Sequence, residues 1–286
     1  MIRLAVRCAP EHAERVLAEL IVLAPGGVEE DEGDGYVEYA IYGARGEIPE
    51  LGDLDAVAGN GRIKVTTEEI PDDWADRWRD FHRPIVVGER LVVRPSWEPH
   101  PATKPDTPGS EAEEMAGLVS VVIDPGQAFG TGAHPTTRMC LEILIELADE
   151  GEAEGALTDW GTGSAVLAIA AAKLGFDPVR GFDHEVAAIE AARQNAAAND
   201  VEIEFERRNL RIDPAPAAPT ATANLTAPIL TAIAERLEDV PDRLVCSGLL
   251  LREADGIAAA FTEHGLEEHR RIEDGDWAAL RLERES

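Results

Sequence analysis

The chain is short of cysteine, lysine and long apolar runs. Its three cysteines, Cys8, Cys140 and Cys246, are odd in number and lack the close spacing of metal or redox pairs. They exclude a disulfide framework and read as buried thiols in a reducing compartment. No run approaches the roughly 18 apolar residues of a membrane-spanning helix. The opening MIRLAVRCAPEHAERV turns charged too early for a signal segment. A soluble cytoplasmic protein without membrane attachment is expected. Basic charge is scarce as well, 26 Lys and Arg against 56 Asp and Glu, for a formal net charge of −30. Such a surface repels phosphate backbones and anionic lipid heads, so direct nucleic-acid binding is not expected and a basic protein partner is favoured. The same surplus, spread over solvated helix faces, also serves solubility alone. The only lysines are Lys64, Lys104 and Lys173, a compositional bias to which no chemistry is assigned.

What is present divides into two parts. With 286 residues, 44% of them hydrophobic, the chain is long enough for two domains with real cores. IRLAVRC alternates like a strand, PEHAERVLAELIVLAPGG reads as a helix closed by glycines, and YVEYAIYG alternates again. These make a small α+β module over residues 1–65. Residues 66–98 form a tryptophan-rich linker in which Trp74, Trp78 and Phe81 share one helical face, followed by two β-rich runs that reach Trp97. An aromatic stripe at that spacing is read first as packing rather than as a ligand cage. Residues 99–286 form the larger domain, opening on PHPATKPDTPGSEAEEMAG, a loop without periodicity.

Beyond that loop, strand-like and helix-like segments alternate: ALTDWG, SAVLAIAAAKLG, VRGFD, EVAAIEAARQNAAAND, VEIEFERRN, ATANLT, APILTAIAERLEDV, DRLVCSG and EADGIAAAFTEHG. The rhythm predicts an α/β fold, a doubly wound parallel sheet with helices on both faces. The closing EEHRRIEDGDWAALRLER reads as an antiparallel hairpin at the sheet edge.

Four places carry chemistry. Asp159, Gly161 and Gly163 in DWGTGS form a glycine turn between a strand and a helix. A dinucleotide fingerprint would want a third glycine near Leu167, so pyrophosphate binding is not expected. A carboxylate at Asp159 suits the ammonium and sulfonium of S-adenosylmethionine instead, directly or through water. Asp183 ends the next strand, where doubly wound folds place the acid that accepts from both ribose hydroxyls; its other reading is a helix N-cap before EVAAIEAARQN. Asn224 ends the fourth strand and faces the ligand crevice. The stretch DPGQAFGTGAHPTTRMCLE, residues 124–142, places Gly130, Gly132 and Thr137 on a loop running into a helix, a backbone that another molecule can approach closely. His134 there is a loop residue first and a proton acceptor second. No metal site is expected.

In order and spacing, AFGTGAHPTTRMCLE, DWGTGSAVLAIAAAKLG, GFDHE, ANLTAPIL, SGLL and DGDWAALRLER resemble the ribosomal protein L11 methyltransferase family, a class I, Rossmann-like group of S-adenosylmethionine-dependent enzymes. The tryptophan-rich linker is similar too; the N-terminal module agrees only in size and pattern. The resemblance implies that Thr137, Gly161, Asp183 and Asn224 contact S-adenosyl-L-methionine. It also implies that Phe129, Gly130, Thr131 and Gly132 cover the methionine and sulfonium end. The reaction implied is methylation of lysine and α-amino groups of ribosomal protein L11, by a monomer, with Asn224 orienting the amine and the N-terminal module presenting the substrate. Alternatives are a methyltransferase for another protein or small molecule, and a non-catalytic cofactor-binding assembly factor. Two departures stand out: Ala165 where the family has a second glycine after Ser164, and Asp183-His184-Glu185 in place of an Asp-x-Asp.

Overall fold

The computed structural model describes residues 2–13, 16, 17, 20, 29–33, 35–43, 63–69, 83–103, 115–124 and 132–284. The chain forms two compact units, residues 1–82 and 83–286.

In the first unit, strands β1 (Ile2–Cys8), β2 (Glu29–Gly33), β3 (Tyr36–Gly43) and β4 (Lys64–Glu69) form an antiparallel sheet in the order β2-β3-β1-β4. Period-2 alternation puts Val6 and Cys8 of β1 and Val37, Tyr39 and Ile41 of β3 into one core, which Val16 and Leu20, on helical backbone, complete. The small α+β module is therefore present, and its sheet runs past residue 65 to Glu69 because β4 pairs along β1. The aromatic stripe of Trp74, Trp78 and Phe81 lies outside the described residues.

The second unit contains the seven-stranded sheet β10-β9-β8-β11-β12-β14-β13. Its strands are β8 (Leu157–Trp160), β9 (Val179–Asp183), β10 (Ile203–Arg207), β11 (Thr220–Asn224), β12 (Arg243–Leu250), β13 (Leu266–Asp274) and β14 (Trp277–Arg284). The first five run parallel, and β14 and β13 return antiparallel at the edge, as the closing hairpin predicts. Five helices flank it: α1 (Pro135–Asp149), α2 (Val166–Leu174), α3 (Val186–Ala198), α4 (Ala227–Ala234) and α5 (Leu251–Thr262). The central strand β8 is buried along its whole length, which a strand covered on both faces requires. Two apolar cores follow, one containing α1, α2 and α3 and the other α4 and α5. This is the doubly wound α/β arrangement expected from the sequence.

The stretch read as linker divides differently. Strands β5 (Ile85–Val87) and β6 (Leu91–Arg94) join β7 (Val119–Val122) in a small sheet of the second unit. Val87, Leu91, Val93 and Val121 enter the core containing α1 and α2, so burial ties this part of the stretch to the larger domain. Among the described residues no helix is long and apolar enough to cross a membrane.

Candidate functional site

Strand order reverses between β8 and β11, whose connections leave for opposite faces, so a crevice opens beyond their carboxyl ends. Three of the singled-out positions, the glycine turn, Asp183 and Asn224, come from strand ends at this crevice.

After β8, Gly161 turns at φ 77°, and a Cβ there would stand 2.3 Å from Leu225 Cδ2. Only glycine fits both the conformation and the space. The amides of Gly161 and Thr162 both donate to Phe182 O at 2.8 Å, and Gly163 N donates to Asp183 Oδ2 at 3.0 Å. Amides engaged within the protein do not cradle phosphate, in keeping with the missing third glycine. Asp183 accepts from Glu185 N at 3.0 Å through Oδ1. The N-cap of α3 is Glu185, so the N-cap reading of Asp183 is corrected: its carboxylate forms a turn just ahead of the helix and stands at the end of β9.

The structure buries Asp159. Its side chain lies beneath the turn, only 1% exposed, and accepts from Thr222 Oγ1 and Thr162 Oγ1, each at 2.7 Å. A carboxylate held by two hydroxyls at that depth shapes the turn rather than meeting a ligand's ammonium directly. Burial pushes the carboxyl up to about 6 from its ordinary 3.8, against the lowering effect of the two threonines. A raised carboxyl stabilises the fold below about pH 4 and loses that contribution as pH rises through about 6, since the native state holds a proton the unfolded chain has released. Relative to Asp159→Asn, the wild type should lose on the order of 2–3 kcal/mol across that window, at about 1.36 kcal/mol per pKa unit. Denaturant midpoints of both proteins at the two ends of the window test this.

Ala165 caps α2 in the left-handed region, φ 66° and ψ 20°, where a non-glycine residue costs about 1–2 kcal/mol. Its methyl is fully buried in the core containing α1, a gain of about 0.8 kcal/mol, and alanine restrains the unfolded chain by about 0.4–1 kcal/mol relative to glycine. These terms nearly cancel. Ala165→Gly is expected to change stability by less than about 1 kcal/mol in thermal denaturation, which explains how the departure is tolerated.

Helix α1 brings the loop motif to the crevice. His134 is its N-cap, with Nδ1 accepting from Thr136 N at 3.4 Å and 2.8 Å from Thr136 Oγ1. Its ring meets Trp277 edge to face, centroids 4.9 Å apart, and Arg138 pairs with Asp274 at 2.8 Å, so the β13–β14 turn holds the start of α1. Burial, and then the nearby Arg138, lower the imidazole below its ordinary 6.5, favouring the neutral cap. Thr137 is fully buried and receives a hydrogen bond from Asn224 Nδ2 at 3.1 Å. That bond joins β11 to α1 across the crevice. Gly132 is buried, and a Cβ there would stand 2.9 Å from Val93 Cγ1. Phe129, Gly130 and Thr131 lie outside the described residues, among which no three His, Cys, Asp or Glu gather as a metal site.

The sequence reading assigned no role to Thr162, Thr222 or Gly248. Gly248, at φ 83°, sits where the pairing of β12 with β14 slips between Cys246 and Leu249. A Cβ there would stand 2.4 Å from Leu225 O and 2.7 Å from Leu225 C. A lone glycine inside a strand pattern signals such a close backbone approach. Gly248→Ala, forced into positive φ, would displace the Leu225 backbone and should cost roughly 2 kcal/mol or more, measurable by urea unfolding.

Comparison with known proteins gives the chain's relatives. The family described as Ribosomal protein L11 methyltransferase (PrmA) matches residues 37–285. A ribosomal protein L11 methyltransferase of Heliobacterium modesticaldum is 36% identical over 219 residues, covering 75% of this chain and 65% of that protein. This chain thus spans slightly less than two thirds of that relative's length. One from Alkaliphilus oremlandii is 31% identical over 239 residues, covering 82% of this chain and 70% of the relative. The crystal structure of ribosomal protein L11 methylase from Lactobacillus delbrueckii subsp. bulgaricus is similar with a TM-score of 0.59 and 26% identity, covering 72% of this chain and all of that one.

Proposed function

The chain belongs to the ribosomal protein L11 methyltransferase family, and from that premise we propose that it is an S-adenosyl-L-methionine-dependent protein methyltransferase acting on lysine and α-amino groups of ribosomal protein L11. The observation that carries this reading is the convergence of the glycine turn, Asp183 and the Thr137–Asn224 bond at one crevice. These residues fit the cofactor by their chemistry. A carboxylate at the end of β9 accepts from vicinal ribose hydroxyls, and a turn with its amides already engaged admits an uncharged nucleoside more readily than a diphosphate.

The cofactor, when bound, supplies an electrophilic methyl on a sulfonium. The chain must present a neutral amine in line with it and keep water out. An ammonium has no lone pair to attack with, so the acceptor loses a proton first, to water. Asn224 gives its Nδ2 to Thr137, which leaves Oδ1 to accept an N–H of the incoming amine and direct the lone pair. Thr137, fixed on the first turn of α1, holds that orientation. His134 serves as the cap that sets α1. Phe129, Gly130, Thr131 and Gly132 would close over the methionine end. A basic protein substrate suits a chain of net charge −30, whose field speeds encounter. The setting of this reading is the cytoplasm, with the enzyme acting as a monomer and residues 1–82 recognising the substrate. Calorimetric titration with S-adenosylmethionine should show one saturable site; a protein that takes up no heat would contradict the reading.

A further inference from the structure

Helix α3 carries one buried amide, Asn195, and is capped at its C-terminus by another, Asn199, 5% and 6% exposed and one turn apart. A buried amide is tolerated only when its donors and acceptor find partners, and the partners here are specific. Asn199 closes on one residue, accepting from Val122 N at 2.8 Å and donating to Val122 O at 2.6 Å. Its Nδ2 also lies 2.8 Å from Asn195 O. It replaces a strand partner for the edge of β7. Asn195 instead spans two segments. Its Oδ1 accepts from Asp124 N at 3.2 Å, and its Nδ2 donates to Ser164 O at 2.9 Å.

Those two segments are the ones that carry the site. Asp124 begins DPGQAFGTGAHPTT, and the Ser164 carbonyl belongs to the peptide that closes the glycine turn and enters left-handed Ala165. One buried side chain thus holds both Asp124 and the Ser164 carbonyl. We infer that Asn195 is a positioning residue for cofactor binding, setting the spacing between Asp124, just beyond β7, and the turn after β8. The inference rests on the proposed function, because it assigns those segments to S-adenosylmethionine.

The test uses the full chain, S-adenosylmethionine as the probe, and the variants Asn195→Ala, Asn195→Asp and Ile257→Ala. Asn195→Asp keeps an acceptor for Asp124 and removes the donor from Ser164, so it isolates the turn arm if the alanine variant does not fold. Ile257 lies on α5, in the other core, and reports what a loss of stability alone does. Both Asn195 variants should bind the cofactor at least fivefold more weakly. Their KM for the cofactor should rise by the same factor, while kcat at saturating cofactor and KM for the protein substrate stay within twofold. Ile257→Ala should lose a comparable or larger part of Tm and keep the wild-type Kd. Wild-type affinity in the Asn195 variants would overturn the inference, as would equal loss of affinity in Ile257→Ala. A wild-type protein that binds no S-adenosylmethionine would overturn the proposed function itself, so the two failures are distinguishable.

Discussion

Asp183→Ala is expected to weaken S-adenosylmethionine binding at least tenfold in a calorimetric titration, with the fold retained. Toward the protein the carboxylate accepts from Gly163 N and Glu185 N, each at 3.0 Å. In the proposed function it has a second job, as the charged acceptor for a ribose diol. Hydrogen bonds to a charged group contribute about 1.5–3 kcal/mol each, and about 1.4 kcal/mol is a factor of ten in affinity. Losing one ribose contact is enough to reach that factor, and loosening the glycine turn adds to it. Asp183→Asn separates the jobs, since an amide oxygen still accepts from the backbone while the charge is gone; it should fall between alanine and wild type. If the alanine variant binds as tightly as wild type, Asp183 serves only the turn ahead of α3 and the nucleoside site lies elsewhere.

Removal of residues 1–82 should abolish methylation of ribosomal protein L11 while leaving cofactor affinity within twofold. Among the described residues, both cores of the larger unit are built from residues from Ile85 onward. The cut belongs at 82 rather than 65, because ending at 65 would divide β4, which pairs along β1. If the first unit recognises the substrate, its loss forfeits binding energy that positions the amine. A deficit of about 3 kcal/mol already lowers the rate on the order of a hundredfold. A truncated enzyme that methylates at the full rate would remove the substrate role from this unit.

Much of the fold was legible because its signals are local. Alternating strand and helix patterns predicted the parallel sheet, and two strand-like runs around Gly-Asp-Gly predicted the edge hairpin. Strands β5 and β6 were read inside a linker because runs of three and four residues name no partner, and β7 lies beyond a long loop without periodicity. The candidate site divides the same way. Glycines and strand-end acids announce themselves by position, whereas the burial of Asp159 depends on Thr222, 63 residues away, supplying a hydroxyl. Asn195 looks in sequence like a polar residue on the outer face of an alanine-rich helix. Only the packing of β7 and the glycine turn against α3 makes it a buried bridge. The left-handed conformation of Ala165 was likewise hidden, since alanine carries none of the signal a glycine would.

The central claim is methyl transfer to amines of a ribosomal protein at the crevice of Asp183 and Asn224. The most direct measurement is mass spectrometry of purified ribosomal protein L11 after incubation with the full chain and S-adenosylmethionine. Successive methyl increments, mapped by fragmentation to lysine and α-amino groups and lost in Asp183→Ala, are the predicted result. Ribosomal protein L11 of unchanged mass, in the presence of enzyme shown to bind the cofactor, would contradict it.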